Sequence, residues 1–415
     1  MRWIAILPLL LLVACGGETP QPVAKKSPAP VEPKPVIQAK PLLMHYMPWY
    51  VTPEMRGKWG RHWTGMERQH DPEQKGANGL PDIYSHYHPL IGLYDSTDPD
   101  VLECHLLQMK LAGVDGVIVD WYGTFNYADY PPIHEATKAM FAATAKFGMK
   151  FAACYEDRSV ELLVQRGKLN REDIAGHLGE TFRWMGKEWF SKPNYFRLNG
   201  KPLLLNFGPM FVKTPGQWTL GMQELTEKPA LFGLHHLWKE AGADGGFTWV
   251  HEAAWDGSQE EEIVLKRIEE SFTYFSTNHS RHIASAFPGF HDVYKESFGR
   301  LDHRDGQVLR QSLQVALNGP WPLVQLVTWN DYGEGTMIEP THEFGYKFLE
   351  IVQEARAKEI GAAFPYLKSH LKLPVRLYSL RKKGGVSDGE LNSIASMLSE
   401  GDCTNAEAKL AVLER

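Results

Sequence analysis

One unit recurs eight times between residues 41 and 360, and it limits the fold more than any other feature of the chain. A short, continuously apolar run is followed by a polar or aromatic loop and then by an amphipathic stretch. The apolar runs are Leu42–Met47, Gly116–Trp121, Lys150–Tyr155, Pro202–Phe207, Ala230–Leu234, Gly246–His251, His282–Ala286 and Leu323–Trp329. A strand with one wet face alternates apolar and polar residues. These runs do not alternate, so they read as parallel strands buried on both faces. Helical patterns fall between them at Asp98–Ala112, Ile133–Phe147, Arg171–Phe190, Gln259–Tyr274, Gln307–Asn318 and His342–Lys358. Asp98 and Asp100 open the first of these and Gly113 closes it, the usual cap asymmetry. Eight β-then-α units predict an α/β fold of the closed (β/α)₈ TIM-barrel type over 41–360. A doubly wound open sheet is the alternative. No GxGxxG or Walker motif follows any strand, which weakens its nucleotide-binding versions.

The flanks read differently. Met1–Cys15 has Arg2 at its start and a short apolar run, too short to span a bilayer stably. It ends in Leu12-Val13-Ala14-Cys15, which looks like a bacterial lipobox with Cys15 as the lipidated residue. Residues 16–40 hold six prolines and no aromatic residue, and read as a semi-rigid tether reaching on the order of 70 Å. The expectation is a lipoprotein of the bacterial cell envelope, with Gly16 after the Cys leaning towards the outer membrane. The membrane is then a partner through the lipid anchor only. Residues 361–415 read as a helical extension: Arg376–Arg381 as a short extended piece, Leu391–Leu398 and Ala406–Leu413 as two helices, and Arg381-Lys382-Lys383 as a solvated turn. A net charge of −6 argues against a nucleic-acid partner. Four cysteines are too few for a disulfide framework, so Cys104 and Cys154 read as core residues. A monomer is expected.

In a TIM barrel the chemistry sits where strands end. Here those ends carry Tyr46 and Trp49, then Asp120, Trp121 and Tyr122, then Tyr155 and Glu156, then Asn206. Later ones carry Trp249 and His251, and last Trp329, Asn330, Asp331, Tyr332 and Glu334. Aromatic faces stack on pyranose rings, while carboxylates and amides bind hydroxyls, so the joint pattern describes a sugar site. Asp120 could equally cap a loop, and Glu156 could pair with Arg158. The long loop from Trp49 to Thr97 adds His62, His70, His86 and His88, with Trp59 and Trp63 as lid or packing residues. His88 is taken as a sugar ligand. The histidine spacing matches no strong zinc pattern and no HExxH occurs, so neither metal nor cofactor is expected.

The run Trp329-Asn330-Asp331-Tyr332-Gly333-Glu334-Gly335-Thr336-Met337-Ile338-Glu339-Pro340 resembles the WNEW-x-EGT-x-IEP signature of glycoside hydrolase family 99 and its wider family 71/99-like group. The segments His88–Ser96, Gly113–Gly123 and Tyr46–Tyr50 are similar to that family's early segments. The resemblance implies a (β/α)₈ barrel and a retaining, endo-acting α-mannosidase that needs no metal. Carried over by position, Glu334 is the general acid/base. Asp331 is the base that deprotonates the sugar's own 2-hydroxyl, giving a 1,2-anhydro intermediate. The chain departs from the pattern at Asp331, where the mannosidases carry Glu, and at Tyr332-Gly333, where they carry Trp and another side chain. The missing methylene keeps a second reading open: a glycan-binding lipoprotein on a barrel that has lost its activity.

Overall fold

The computed structural model describes residues 39–250, 260–276, 279–294 and 297–415. The leader with Cys15, the proline-rich tether up to residue 38 and His251 lie outside the described residues.

Eight parallel strands form the centre: β1 Leu42–Tyr46, β2 Gly116–Trp121, β3 Lys150–Tyr155, β4 Lys201–Asn206, β5 Ala230–Leu234, β6 Gly245–Phe247, β7 His282–Ala286 and β8 Val324–Leu326. Each pairs in parallel with the next, and β8 returns to β1 with Leu42 beside Val324, so the sheet closes into a barrel. The expected open-sheet alternative is thereby excluded. Strands β6 and β8 are shorter than the apolar runs implied. Their last residues leave the ladder to build loops at the mouth.

Because side chains alternate across a strand, each strand serves two cores. Leu43, Ile118, Ala152, Leu203, Leu205, Phe232, Phe247, Ile283 and Leu323 fill the barrel interior. Their neighbours Leu42, Met44, Val117, Val119, Phe151, Ala153, Leu204 and Val324 face the surrounding helices. Both sets are needed, which is why the strands read as unbroken apolar runs.

Helix α1 (Pro99–Leu111) starts where expected: the Asp98 side chain accepts the Asp100 N–H at 2.9 Å. Helices α2 (Tyr130–Lys146), α3 (Ile174–Met185), α4 (Glu261–Ser276), α5 (Gln307–Asn318) and α6 (Lys347–Ile360) complete the outer layer, with shorter helices between them. Among the described residues no helix is long and apolar enough to cross a membrane.

After α6 the chain forms α7 (Leu373–Lys383), α8 (Asp388–Glu400) and α9 (Cys403–Leu413). The expected extended piece at Arg376–Arg381 is therefore helical. Leu373, Leu377 and Leu380 share one buried face of α7, a spacing that satisfies a helix and not a strand. Nor is the basic run a solvated turn. Arg381 binds both oxygens of Glu103 at 2.6 and 3.0 Å, and Lys382 reaches Asp98 and Asp100 at 2.6 and 2.8 Å, fixing α7 to α1.

Candidate active site

The carboxyl ends of the strands open into a cleft of about 530 Å³. Its floor is made by inward-facing residues at the tops of the first three strands: His45, Asp120, Tyr122 and Glu156. Phe207 and Trp249, from the loops after β4 and β6, form one wall, and Asp331 and Glu334, from the loop after β8, form another. Residues far apart in the sequence reach the same place because parallel strands all end at the same mouth.

The loop after β8 is held rigidly. The backbone N–H of Asp331 donates to Thr328 Oγ1 at 2.8 Å, and Asp331 Oδ1 accepts the Glu334 N–H at 3.0 Å. From outside, the N–H groups of His291 and Val293 donate to the carbonyls of Glu334 and Gly333 at 2.8 and 3.0 Å. That close approach needs a glycine at 335. Its φ is +66°, and a Cβ there would lie 2.6 Å from the His291 carbonyl oxygen. The Trp249 indole N–H donates to Glu334 Oε2 at 3.3 Å, aiming the carboxyl into the cleft.

Burial sets the protonation of these acids. It raises the Asp331 carboxyl to about 6, against the pull of the backbone N–H groups of Glu334 and Gly333. Burial, and then the charge of Asp331, push Glu334 well above the ordinary carboxyl range. Two carboxyls whose surroundings drive their affinities for the proton apart are suited to act as base and acid. Burial also raises Glu156 to about 7, with Arg158 opposing.

The rim is aromatic and basic. Trp49 stacks on His62 with ring centres 4.3 Å apart and planes 9° apart. Asp129 holds this ledge, with Arg61 at 2.7 Å and His62 at 3.8 Å. Arg158, Met66, Tyr294 and Phe298 continue the lining. An apolar ring face over a carboxylate floor fits a sugar: its C–H face lies on the indole and its hydroxyls meet the acids.

Residues 39–228 match the sequence model of glycosyl hydrolase family 99. A glycoprotein endo-α-1,2-mannosidase-like protein of Danio rerio is 24% identical over 330 residues, covering 71% of this chain and 69% of that protein. The glycoprotein endo-α-1,2-mannosidase of Xenopus laevis is 23% identical over 330 residues, covering 72% and 69%. The solved family 99 endo-α-mannosidase of Bacteroides thetaiotaomicron superposes with a TM-score of 0.56 at 18% identity, covering 77% of this chain and 97% of that one. At that identity the match speaks for the fold. The chain is a glycoside hydrolase, similar to family 99.

Against that family pattern, Trp49, Tyr122, Glu156, Trp249, Asp331 and Glu334 converge on the cleft as the sequence suggests. Other expected sugar ligands do not line it. Tyr46, Trp121, Tyr155 and Trp329 are fully buried and face the helix layer. Tyr46 meets His105 of α1, Trp121 meets Trp184 and Trp189, Tyr155 meets Phe182 and Trp218, and Trp329 meets His105. The physical reason is the two-residue period of a strand: each of the first three stands next to a residue that does face the cleft. Asn206 also faces outward and contacts Asp157 at 3.4 Å. Asn330 clamps the backbone of Met47 through its carbonyl and amide at 2.8 and 3.0 Å, and the Tyr332 hydroxyl donates to Glu339 at 3.0 Å. His88 is taken up by Glu343 at 2.8 Å and the Pro81 carbonyl at 3.0 Å.

Sequence reasoning missed His45, Arg61 and Tyr294, and left Asp120 open. Alternation along β1 and β2 would have found His45 and Asp120, since their neighbours Met44 and Val119 are apolar residues of the outer core. Nothing local marks Arg61 or Tyr294, which long loops bring in. Trp63, an expected lid or packing residue, is packing: it is buried against Tyr50 and Tyr332.

Proposed function

We propose that this glycoside hydrolase is a retaining, endo-acting enzyme on α-mannose-containing glycans, with residues 41–360 as its catalytic domain. The observation that carries the reading is the pair Asp331 and Glu334, held in one buried loop at the cleft wall with both carboxyls shifted upward. The endo-α-mannosidase relatives supply the substrate class.

The chemistry runs in two inversions. Asp331 takes the proton of the substrate's 2-hydroxyl, and that oxygen attacks C1. Glu334 gives its proton to the departing glycosidic oxygen, and the 1,2-anhydro sugar forms. Glu334, now ionised, accepts a proton from water, whose oxygen opens the three-membered ring at C1. Asp331 returns its proton to O2. Inversion twice at C1 is net retention. The Trp49–His62 ledge would carry the next sugar ring of the chain, as an endo-acting enzyme needs.

A glycan-panel digest with product analysis tests the reading. Internal cleavage of an α-mannan is expected from wild type, and a 2-deoxy analogue should bind without turnover. Normal cleavage of the 2-deoxy substrate would exclude the neighbouring-group route. Tight binding of mannan fragments with no new reducing ends would instead make this a binding protein, the outcome that Asp331 in place of Glu keeps in view. Asp331→Glu should shift rate or substrate preference towards the mannosidases.

We also propose that Cys15 carries a lipid anchor at the bacterial cell envelope, the outer membrane before the inner. The support is the Leu12–Cys15 run and the proline-rich tether behind it. Cys15→Ser should move the protein from the membrane fraction to the soluble one. An unlipidated, soluble wild type by mass spectrometry defeats this.

A further inference from the structure

The four histidines of the long loop do not form a metal set. His70 pairs with Asp82 at 2.7 Å, His86 with the Asp292 carbonyl at 2.9 Å, and His88 with Glu343, while His62 stacks on Trp49. His45 is different. Its ring is fully buried inside the barrel, edge-on to Trp249 at 4.8 Å; neither ring nitrogen has a well-formed hydrogen bond among the described residues, although the Gln325 side chain lies close enough to act on it.

Two more polar groups face it from the next two strands. Asp120 of β2 and Cys154 of β3 sit level with one another across the ladder. One side-chain donor atom from each of His45, Asp120 and Cys154 lies within 4.8 Å of the others. Asp120 Oδ2 also lacks a partner, and Cys154 is a free, buried thiol. An unpartnered buried polar atom costs ~1–3 kcal/mol, so the open atoms of His45 and Asp120, converging with the Cys154 thiol, call for a common partner.

We infer that His45, Asp120 and Cys154 form a binding site for a single divalent metal ion of the zinc type. The donor set decides the class. Imidazole nitrogen, carboxylate oxygen and sulfur together suit Zn²⁺, whereas Mg²⁺ and Ca²⁺ take oxygen alone. Zinc bonds of ~2.0–2.3 Å need donor atoms roughly 3–4 Å apart, which small side-chain rotations supply from the present spacing. Coordination displaces the thiol proton of Cys154 to solvent and leaves a thiolate on the metal. Three protein ligands leave a fourth position. Because His45 and Asp120 line the cleft floor, the ion enters from the cleft. The inference concerns the site alone and stands whether or not the substrate is a mannoside.

The test uses the full chain, stripped with a chelator and titrated with Zn²⁺ alone by calorimetry and with Co²⁺ by absorption spectroscopy. One ion per chain is expected, with a near-ultraviolet thiolate-to-cobalt band. Cys154→Ser should abolish that band. Zn²⁺ affinity should fall in Cys154→Ser and His45→Asn by more than the ~10–100-fold that even outer-shell partners cost. Should these variants fail to fold, the cobalt band of the wild type decides alone. No binding, or binding without a thiolate band, overturns the site.

Discussion

Glu334 and Glu339 lie in the same loop after β8, and their surroundings are opposite in kind. Glu339 is saturated. His105 Nε2 is 2.9 Å from one oxygen, and the hydroxyls of Tyr94 and Tyr332 donate to the other at 2.8 and 3.0 Å. The network extends to Tyr46 through His105 at 3.1 Å and to Asn330 through Tyr94 at 3.2 Å. It ties β1, α1 and the loop after β8 together. Among the described residues, the Glu334 carboxyl has a single long bond, to Trp249, and faces open cleft beside another raised carboxyl. A buried acid supplied with partners holds the fold. One denied them retains a proton it can give away.

The contrast breaks most sharply under substitution. Glu334→Gln keeps the shape but cannot transfer a proton, so kcat should fall by at least ~10²–10⁴-fold with substrate affinity kept. The melting temperature should stay level or rise. A measured loss of fold, with activity per folded molecule intact, would place Glu334 with Glu339 instead.

Glu339→Leu should do the reverse. Three buried donors lose their acceptor, at ~1–3 kcal/mol each, so chemical denaturation should show a loss of at least ~3 kcal/mol. Folded molecules should retain measurable turnover. An unchanged unfolding midpoint would end the structural assignment.

Acidity sharpens the same comparison more gently. The Asp331 carboxyl moves from 3.8 to about 6 in the folded chain, so the folded state holds that proton more tightly than the unfolded state. Its contribution to stability is therefore full below 3.8 and declines as pH rises towards 6. Melting curves from pH 4 to 7 should fall less steeply in Asp331→Asn than in wild type. In activity, kcat/KM should drop below about pH 6 as the base is protonated. An acid limb far from that value would remove Asp331 from the base role.

The smallest effect belongs to Trp249. Its indole N–H lowers the proton affinity of Glu334, so Trp249→Phe should raise it further. The basic limb of the pH–rate profile should move to higher pH, with kcat changed only several-fold, since one neutral bond of ~0.5–1.5 kcal/mol is lost. A basic limb that stays in place would show that Trp249 only packs against Phe207 and His45.

How much of this was legible in the chain differs between fold and site. The eight strands could be read because a strand buried on both faces needs apolar residues at every position, a local property. The motif around Asp331 and Glu334 could be read because a tight loop at a strand end needs its glycines in place. Composition at strand ends also pointed to a sugar cleft. Sequence alone therefore determined the barrel, the end of it that opens into the cleft, and the placing of Asp331 and Glu334 there. It did not determine which residue of each pair of neighbours faces the cleft. His45 or Tyr46, and Asp120 or Trp121, differ by one step of the pleat, and that phase is set by pairing with strands far away in the chain. Nor could it place Arg61, Tyr294 or the His45–Asp120–Cys154 convergence. These depend on loops and strands dozens of residues apart meeting at one point, and only closure of the barrel brings them there.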